Sequence, residues 1–130
     1  MIQRKFELMG KSGCYFFCLL HFAESVLGHH LDAELVYDKA IASGWMGEDC
    51  FIKDAAAILA YLLGGQWSVT WQPAGYALQL NETAIQRWEL RSIMGTKTHF
   101  TLVDWDPYGD SQTRREGKVA DLRIIKKIGG

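Results

Sequence analysis

Cys14-Tyr-Phe-Phe-Cys-Leu-Leu-His-Phe-Ala-Glu-Ser-Val-Leu27 is the stretch on which the fold turns. Tyr15, Leu19, Phe22 and Val26 would share one helical face, and Phe16, Leu20 and Ala23 would cover the next. A helix that is apolar on most of its sides packs inside a domain, so the stretch predicts a central, buried helix. Ser12-Gly13 leads into it and Gly28 stops it, glycine being the residue that a left-handed helix cap favours. The most apolar part, Cys14 to Ala23, holds His21 and is far short of the roughly 20 residues that span a bilayer.

Two more helices are predicted downstream. Asp32–Ala42 carries an apolar stripe of Leu35, Val36, Ala40 and Ile41, with acidic residues near its start, where the helix dipole favours them. The next runs from about Lys53 to Leu63, buries Ile58, Leu59 and Leu62, and stops at Gly64-Gly65. Upstream, residues 1–12 read as irregular, with a short extended piece at Phe6–Met9.

Beyond Gly65 the hydrophobic period falls from helical to two. Strands are predicted at Gln66–Trp71, Tyr76–Leu80, about Ile85–Met94, Thr98–Asp104 and Ala120–Ile128; Ile85–Met94 also admits a helix. Asp106-Pro-Tyr-Gly109 has the residue order of a type I turn. Helices first and strands afterwards predict an α+β fold with a C-terminal antiparallel sheet. Trp67, Trp71, Trp88 and Trp105 sit on strand patterns and are assigned to the core.

The 130 residues suit one domain, 1–130, and an apolar share of 48% predicts a packed globule. The net charge of −1 supplies no field to hold nucleic acid or an anionic membrane. The basic tail from Arg114 to Lys127 reads as a solvated strand edge kept soluble by its charge. Three cysteines, Cys14, Cys18 and Cys50, form no disulfide framework and suit a reducing compartment. No apolar run follows the basic residues of Met1–Gly10, so no secretory signal is read there, and a cytoplasmic location is expected. No phosphate-binding loop is present, and the ladder Cys14, Cys18, His21 spreads too far along a helix to meet one ion, so neither cofactor nor metal is expected.

Cys14 would occupy the first turn of the central helix, where backbone N–H groups are unpaired. Those groups and the dipole are expected to lower the thiol pKa and to serve an oxyanion, while Gly13 allows close approach of a substrate. Cys18, one turn on, reads as a core residue and Cys50 as an incidental loop residue. A nucleophilic cysteine needs a base. His21 lies roughly 10 Å along the same helix from Cys14 and cannot reach it; like Cys18, it is expected to be buried. His29 and His30 follow Gly28, where a cation suits the helix C-terminus. His99, opening a strand after Gly95-Thr-Lys-Thr, is left as the base. Asp104, Asp106 and Asp110 could each orient its ring, and Asp106, in Trp105-Asp106-Pro107, is the first choice.

In order and type, Ser12-Gly13-Cys14 opening a long apolar helix, two further helices, strands, Thr98-His99-Phe-Thr-Leu-Val and then Asp106-Pro107 resemble small papain-like cysteine peptidases, in particular the bacteriocin-processing type and compact phage- and prophage-encoded proteins similar to them. The resemblance implies a papain-like fold, a central helix and two others packed on an antiparallel sheet. It also implies Cys14 as nucleophile, His99 as base and then acid, Asp106 as orienting group, and a peptide or protein as substrate. It departs from that pattern in three ways. The upstream glutamine that would serve the oxyanion has only Gln3, eleven residues before Cys14, to supply it; Lys11-Ser12 stands where a further small residue is usual; and six residues separate His99 from Asp106. The expected function is therefore a cysteine peptidase or related thiol-dependent amide hydrolase, with a deamidase or acyl transferase as variants of the same chemistry. The alternative is a catalytically inactive papain-like binding or regulatory module of phage or prophage origin. The sequence leaves the oligomeric state open.

Overall fold

The computed structural model describes residues 13–129; the readings of Gln3, Phe6–Met9 and Lys11-Ser12 lie outside them. Helix α1 is Cys14–Leu27, α2 is Ala33–Ala42 and α3 is Ala55–Leu63. Strands β1 (Gln66–Pro73), β2 (Glu82–Ser92) and β3 (Gly95–Leu102) follow, then a short helix α4 (Gln112–Glu116) and strand β4 (Lys118–Gly129). The fold is α+β, with one antiparallel sheet in the order β1-β4-β2-β3.

Local chemistry fixes the helix ends. Gly28, left-handed at φ 77°, closes α1 through its N–H to the Glu24 carbonyl at 2.8 Å. Asp32 caps α2 by accepting from the N–H groups of Glu34 and Leu35, and Asp54 caps α3 by accepting from that of Ala57. The main core lies between the helices and one face of the sheet, where Phe16, Leu19, Ile58, Leu59, Ile85 and Ile125 are buried. A smaller cluster of Ala84, Leu122 and Ile124 occupies the other face under Tyr76.

Several expectations are corrected. Tyr76–Leu80 is not a strand: after Pro73 the chain turns, and the Glu82 carboxylate takes the Tyr76 hydroxyl (2.8 Å) and the Gln79 N–H (2.9 Å). Leu78 and Leu80 are exposed, so the segment has no buried face to keep it extended. The strand expected at Ile85–Met94 is β2, beginning at Glu82 and ending at Ser92, and Ile93-Met94 make the turn into β3. The basic tail is no edge: β4 pairs with β1 on one side and β2 on the other. Its Arg123 is instead held by Asp121 and stands over the Phe100 ring. Trp71 is 59% exposed rather than core. Leu35 is exposed, and α2 buries Val36, Tyr37 and Ala40. His30 pairs with Glu24 at 3.3 Å instead of meeting the last carbonyls of α1, and the exposed His29 approaches the His30 carbonyl.

Candidate active site

β3 is the last strand of the sheet, so every second N–H along it points away from β2. Leu102 uses that edge to bond the Trp105 carbonyl at 2.9 Å. Phe100 turns its N–H to the Cys14 sulfur. The start of α1 thus closes an edge that would otherwise be open to another strand. Tyr15 stacks on Phe100 at 4.7 Å, and nearly two turns further along α1 His21 stacks on Trp105 at 4.0 Å. His21 is accordingly half-buried, against the expectation that it would be buried, while Cys18 is wholly buried.

Strand alternation sends Phe100 and Leu102 into the core beneath the helices and His99 to the opposite side. There the segment after β3 folds back over it. His99 Nε2 meets Asp106 Oδ1 at 2.6 Å, with the two side chains 3% and 0% exposed. Of the three candidate aspartates, Asp106 is the one on His99; Asp104 and Asp110 are exposed, and Asp110 pairs with Arg115 at 3.0 Å. The expected turn is present, Gly109 N–H to Asp106 carbonyl at 2.9 Å, which reconciles a short connection with a direct contact.

Burial opposes ionisation of Asp106, but the Ser111 hydroxyl, His99 and the Tyr108 N–H outweigh it and hold the carboxyl below its ordinary range. An ionised carboxylate only accepts, so His99 Nε2 donates. That leaves Nδ1, which is buried and has no hydrogen-bond partner among the described residues.

Burial also raises the Cys14 thiol pKa, and the negative charge of Asp106 adds to it; the N–H groups of Phe100, Tyr15 and Cys14 pull the other way and do not win. The expected lowering is therefore reversed. Cys14 is 8% exposed, and one helix end does not offset that desolvation. The thiol therefore rests protonated.

Tyr108 and Ser111 were not read from the sequence. The Tyr108 ring stacks on His99 at 4.6 Å, and its hydroxyl comes within hydrogen-bonding reach of Cys14. Burial, with Cys14 next, pushes the Tyr108 phenol up to about 12, so it stays protonated. Ser111 gives its hydroxyl to Asp106 Oδ2 at 2.5 Å and caps α4. The one legible signal was a serine three residues before Arg114, a capping position on a helix too short to show a period.

Cys50 is not incidental. It is 3% exposed, sits left-handed at φ 64°, and feels Cys14; burial first, then Asp49 and Cys14, push its thiol up to about 11. It lines a groove of about 680 Å³ that also takes in Tyr15, the residue after Cys14. The stacked pair Tyr15 and Phe100 forms its near wall, and Phe51 and Trp71, both well exposed, belong to its rim.

Among the described residues, no group of three or more His, Cys, Asp or Glu side chains converges to hold a metal, and no helix is long and apolar enough to cross a membrane. No curated protein and no solved structure matches the chain. Residues 3–127 match the family described as "Protein of unknown function, DUF261", and with nearly its whole length aligned the chain belongs to that family.

Proposed function

We propose that this is a thiol-dependent amide hydrolase of papain-like fold acting on peptides or proteins. The single observation that carries the reading is the buried His99–Asp106 pair whose unpartnered Nδ1 is left as a base one residue from the strand edge where Cys14 sits. His99 Nδ1 takes the thiol proton as the sulfur attacks a carbonyl carbon, and Asp106 stabilises the imidazolium that forms. N–H groups at the start of α1 receive the oxyanion. The imidazolium then protonates the departing amine, and water, deprotonated by His99, cleaves the thioester. Deamidation and acyl transfer share the first half of this scheme. The groove walled by Tyr15 and Phe100 would take the side chain of the residue next to the scissile bond. Three free thiols suit a reducing compartment such as the cytoplasm.

Because the thiol is raised, activation comes from proton transfer during attack and not from a standing thiolate. The test is alkylation of Cys14 by iodoacetamide at pH 7, followed by mass spectrometry, in the wild type and in His99→Ala. A general base contributes about 10²-fold or more, so the variant should be slower by about that factor and should recover only at alkaline pH. Equal rates in the two proteins would refute the reading.

A second reading, a papain-like binding module without turnover, is favoured by the 8% exposure of Cys14 and the Tyr108 hydroxyl beside its sulfur. It requires slow alkylation in both proteins.

A further inference from the structure

A carboxylate offers four lone-pair sites, two on each oxygen. At Asp106 all four are taken. Oδ1 accepts from His99 Nε2 at 2.6 Å and from the Tyr108 N–H at 2.9 Å. Oδ2 accepts from the Ser111 hydroxyl at 2.5 Å and the Ser111 N–H at 3.3 Å. Among the described residues, one thus supplies everything on the oxygen that His99 does not use. The hydroxyl is aimed as well as near: as the cap of α4 it accepts the Arg114 N–H at 3.3 Å, which leaves its single proton for Asp106.

α4 is braced in its turn. Arg114 Nη2 donates to the Val103 carbonyl at 2.6 Å, tying the helix to the end of β3. At the other end Gly117 lies flush against β2, with the Glu89 carbonyl oxygen 2.5 Å from where a Cβ would be. A five-residue helix that gains little from its own hydrogen bonds is fixed at both ends, and its cap is spent on Asp106.

We propose that Ser111 is a positioning residue of the site: its hydroxyl and N–H hold Asp106 so that His99 keeps its proton on Nε2 and its lone pair on Nδ1. The proposal rests on the hydrolase reading above. Donors on Oδ2 draw charge away from Oδ1, so Asp106 orients the imidazole without binding its second proton too tightly. With the hydroxyl gone, more carboxylate charge falls on the imidazole, the imidazolium is favoured, and His99 stops being a base at a higher pH.

The titratable groups facing the pair are Cys14 and Cys18 on α1 and Tyr108 in the connecting turn, and burial raises all three. They stay neutral over the range in question. On β2 the residue opposite His99 is Trp88, which does not titrate. A shift in the acid limb therefore reports on the pair.

The experiment compares wild type, Ser111→Ala and Ser111→Thr by two readouts: the pH profile of Cys14 alkylation, and the His99 ring nitrogens in long-range proton–nitrogen NMR spectra. In the wild type His99 should be the Nε2–H tautomer. Ser111→Ala should move the acid limb and the His99 titration upward together, by about half to one pH unit, and lower the plateau about tenfold. Ser111→Thr, which keeps the hydroxyl, should restore both. An unchanged limb and an unchanged His99 titration in Ser111→Ala, whatever happens to the melting temperature, would leave Ser111 a helix cap and overturn the proposal. Should His99→Ala leave wild-type alkylation unaffected, the hydrolase reading falls, and the NMR titration still decides the role of Ser111.

Discussion

Gly117→Ala tests the link between packing and site most directly. The backbone at Gly117 has φ −88°, which any residue adopts, so its glycine is there for space and not for conformation. A Cβ would stand 2.5 Å from the Glu89 carbonyl oxygen and closer still to that of Thr113, where ordinary contact begins at 3.4 Å. The shortfall of 3.4 − 2.5 = 0.9 Å or more is against backbone on both sides, one side α4 and the other β2, so no side-chain rotation relieves it. Overpacking of this kind costs about 3 kcal/mol at the upper end of its usual range. Alanine returns up to about 1 kcal/mol by restricting the unfolded chain, leaving a net loss of about 2 kcal/mol. At about 2.1 cal/mol/K per residue the unfolding entropy of a chain this size is about 0.27 kcal/mol/K, so the melting temperature should fall by about 7 °C. α4 must also move off β2 and carry Ser111 with it, and a displacement near 1 Å at a positioning group costs about tenfold or more in rate. Thermal unfolding by circular dichroism and Cys14 alkylation at 20 °C below the variant's midpoint measure the two effects separately. A variant that melts within about a degree of wild type and alkylates at the wild-type rate would show that α4 is not pinned by this contact.

Two further outcomes are expected. Trp71→Ala opens the groove rim and should slow labelling of Cys14 by a peptidyl chloromethyl ketone carrying phenylalanine about tenfold, with iodoacetamide labelling unchanged; equal loss with both reagents would mean the tryptophan acts on the nucleophile and not on the groove. Burial works against ionisation of Asp121, but Arg87 (2.7 Å), Arg123 and Trp71 overcome it and hold the carboxyl at about 2. A folded-state pKa below the unfolded one stabilises fully above the unfolded value, near 4, and the gain is lost as pH falls from there toward 2. Asp121→Asn should therefore cost about 2 kcal/mol in urea unfolding at pH 7 and much less at pH 2.5; an equal gap at both pH values would contradict this.

The helical half was legible because its signals are local. Periodicity and the end signals at Gly28, Asp32 and Gly64 act within a few residues, and α1–α3 lie where they indicate. The sheet was legible in part. Gln66, Thr98 and Ala120 all lie in strands, but which strand is interior is a matter of pairing between distant segments, and a charged strand such as β4 can sit inside when Asp121 and the Phe100 ring receive its arginine. Tyr76–Leu80 reads as extended and finds no strand to pair with among the described residues. At the site, residue types and order pointed to Cys14, His99 and Asp106, and the structure puts Asp106 on His99. Ser111 and Tyr108 act through a fold-back over β3 that leaves no mark on local sequence. The thiol pKa was misjudged because a helix end is visible in sequence and burial is not.

The placement of β4 between β1 and β2 also means that the last segment of the described chain completes the sheet. Cys14 is made early and His99 late, yet even a chain extended past Ser111 has no complete sheet: β1 has no neighbour until β4 is inserted beside it. The edge of β3 against which Cys14 rests belongs to that sheet. A chain cut within its last strand would thus carry every residue of the candidate site on a sheet that lacks the strand joining β1 to β2.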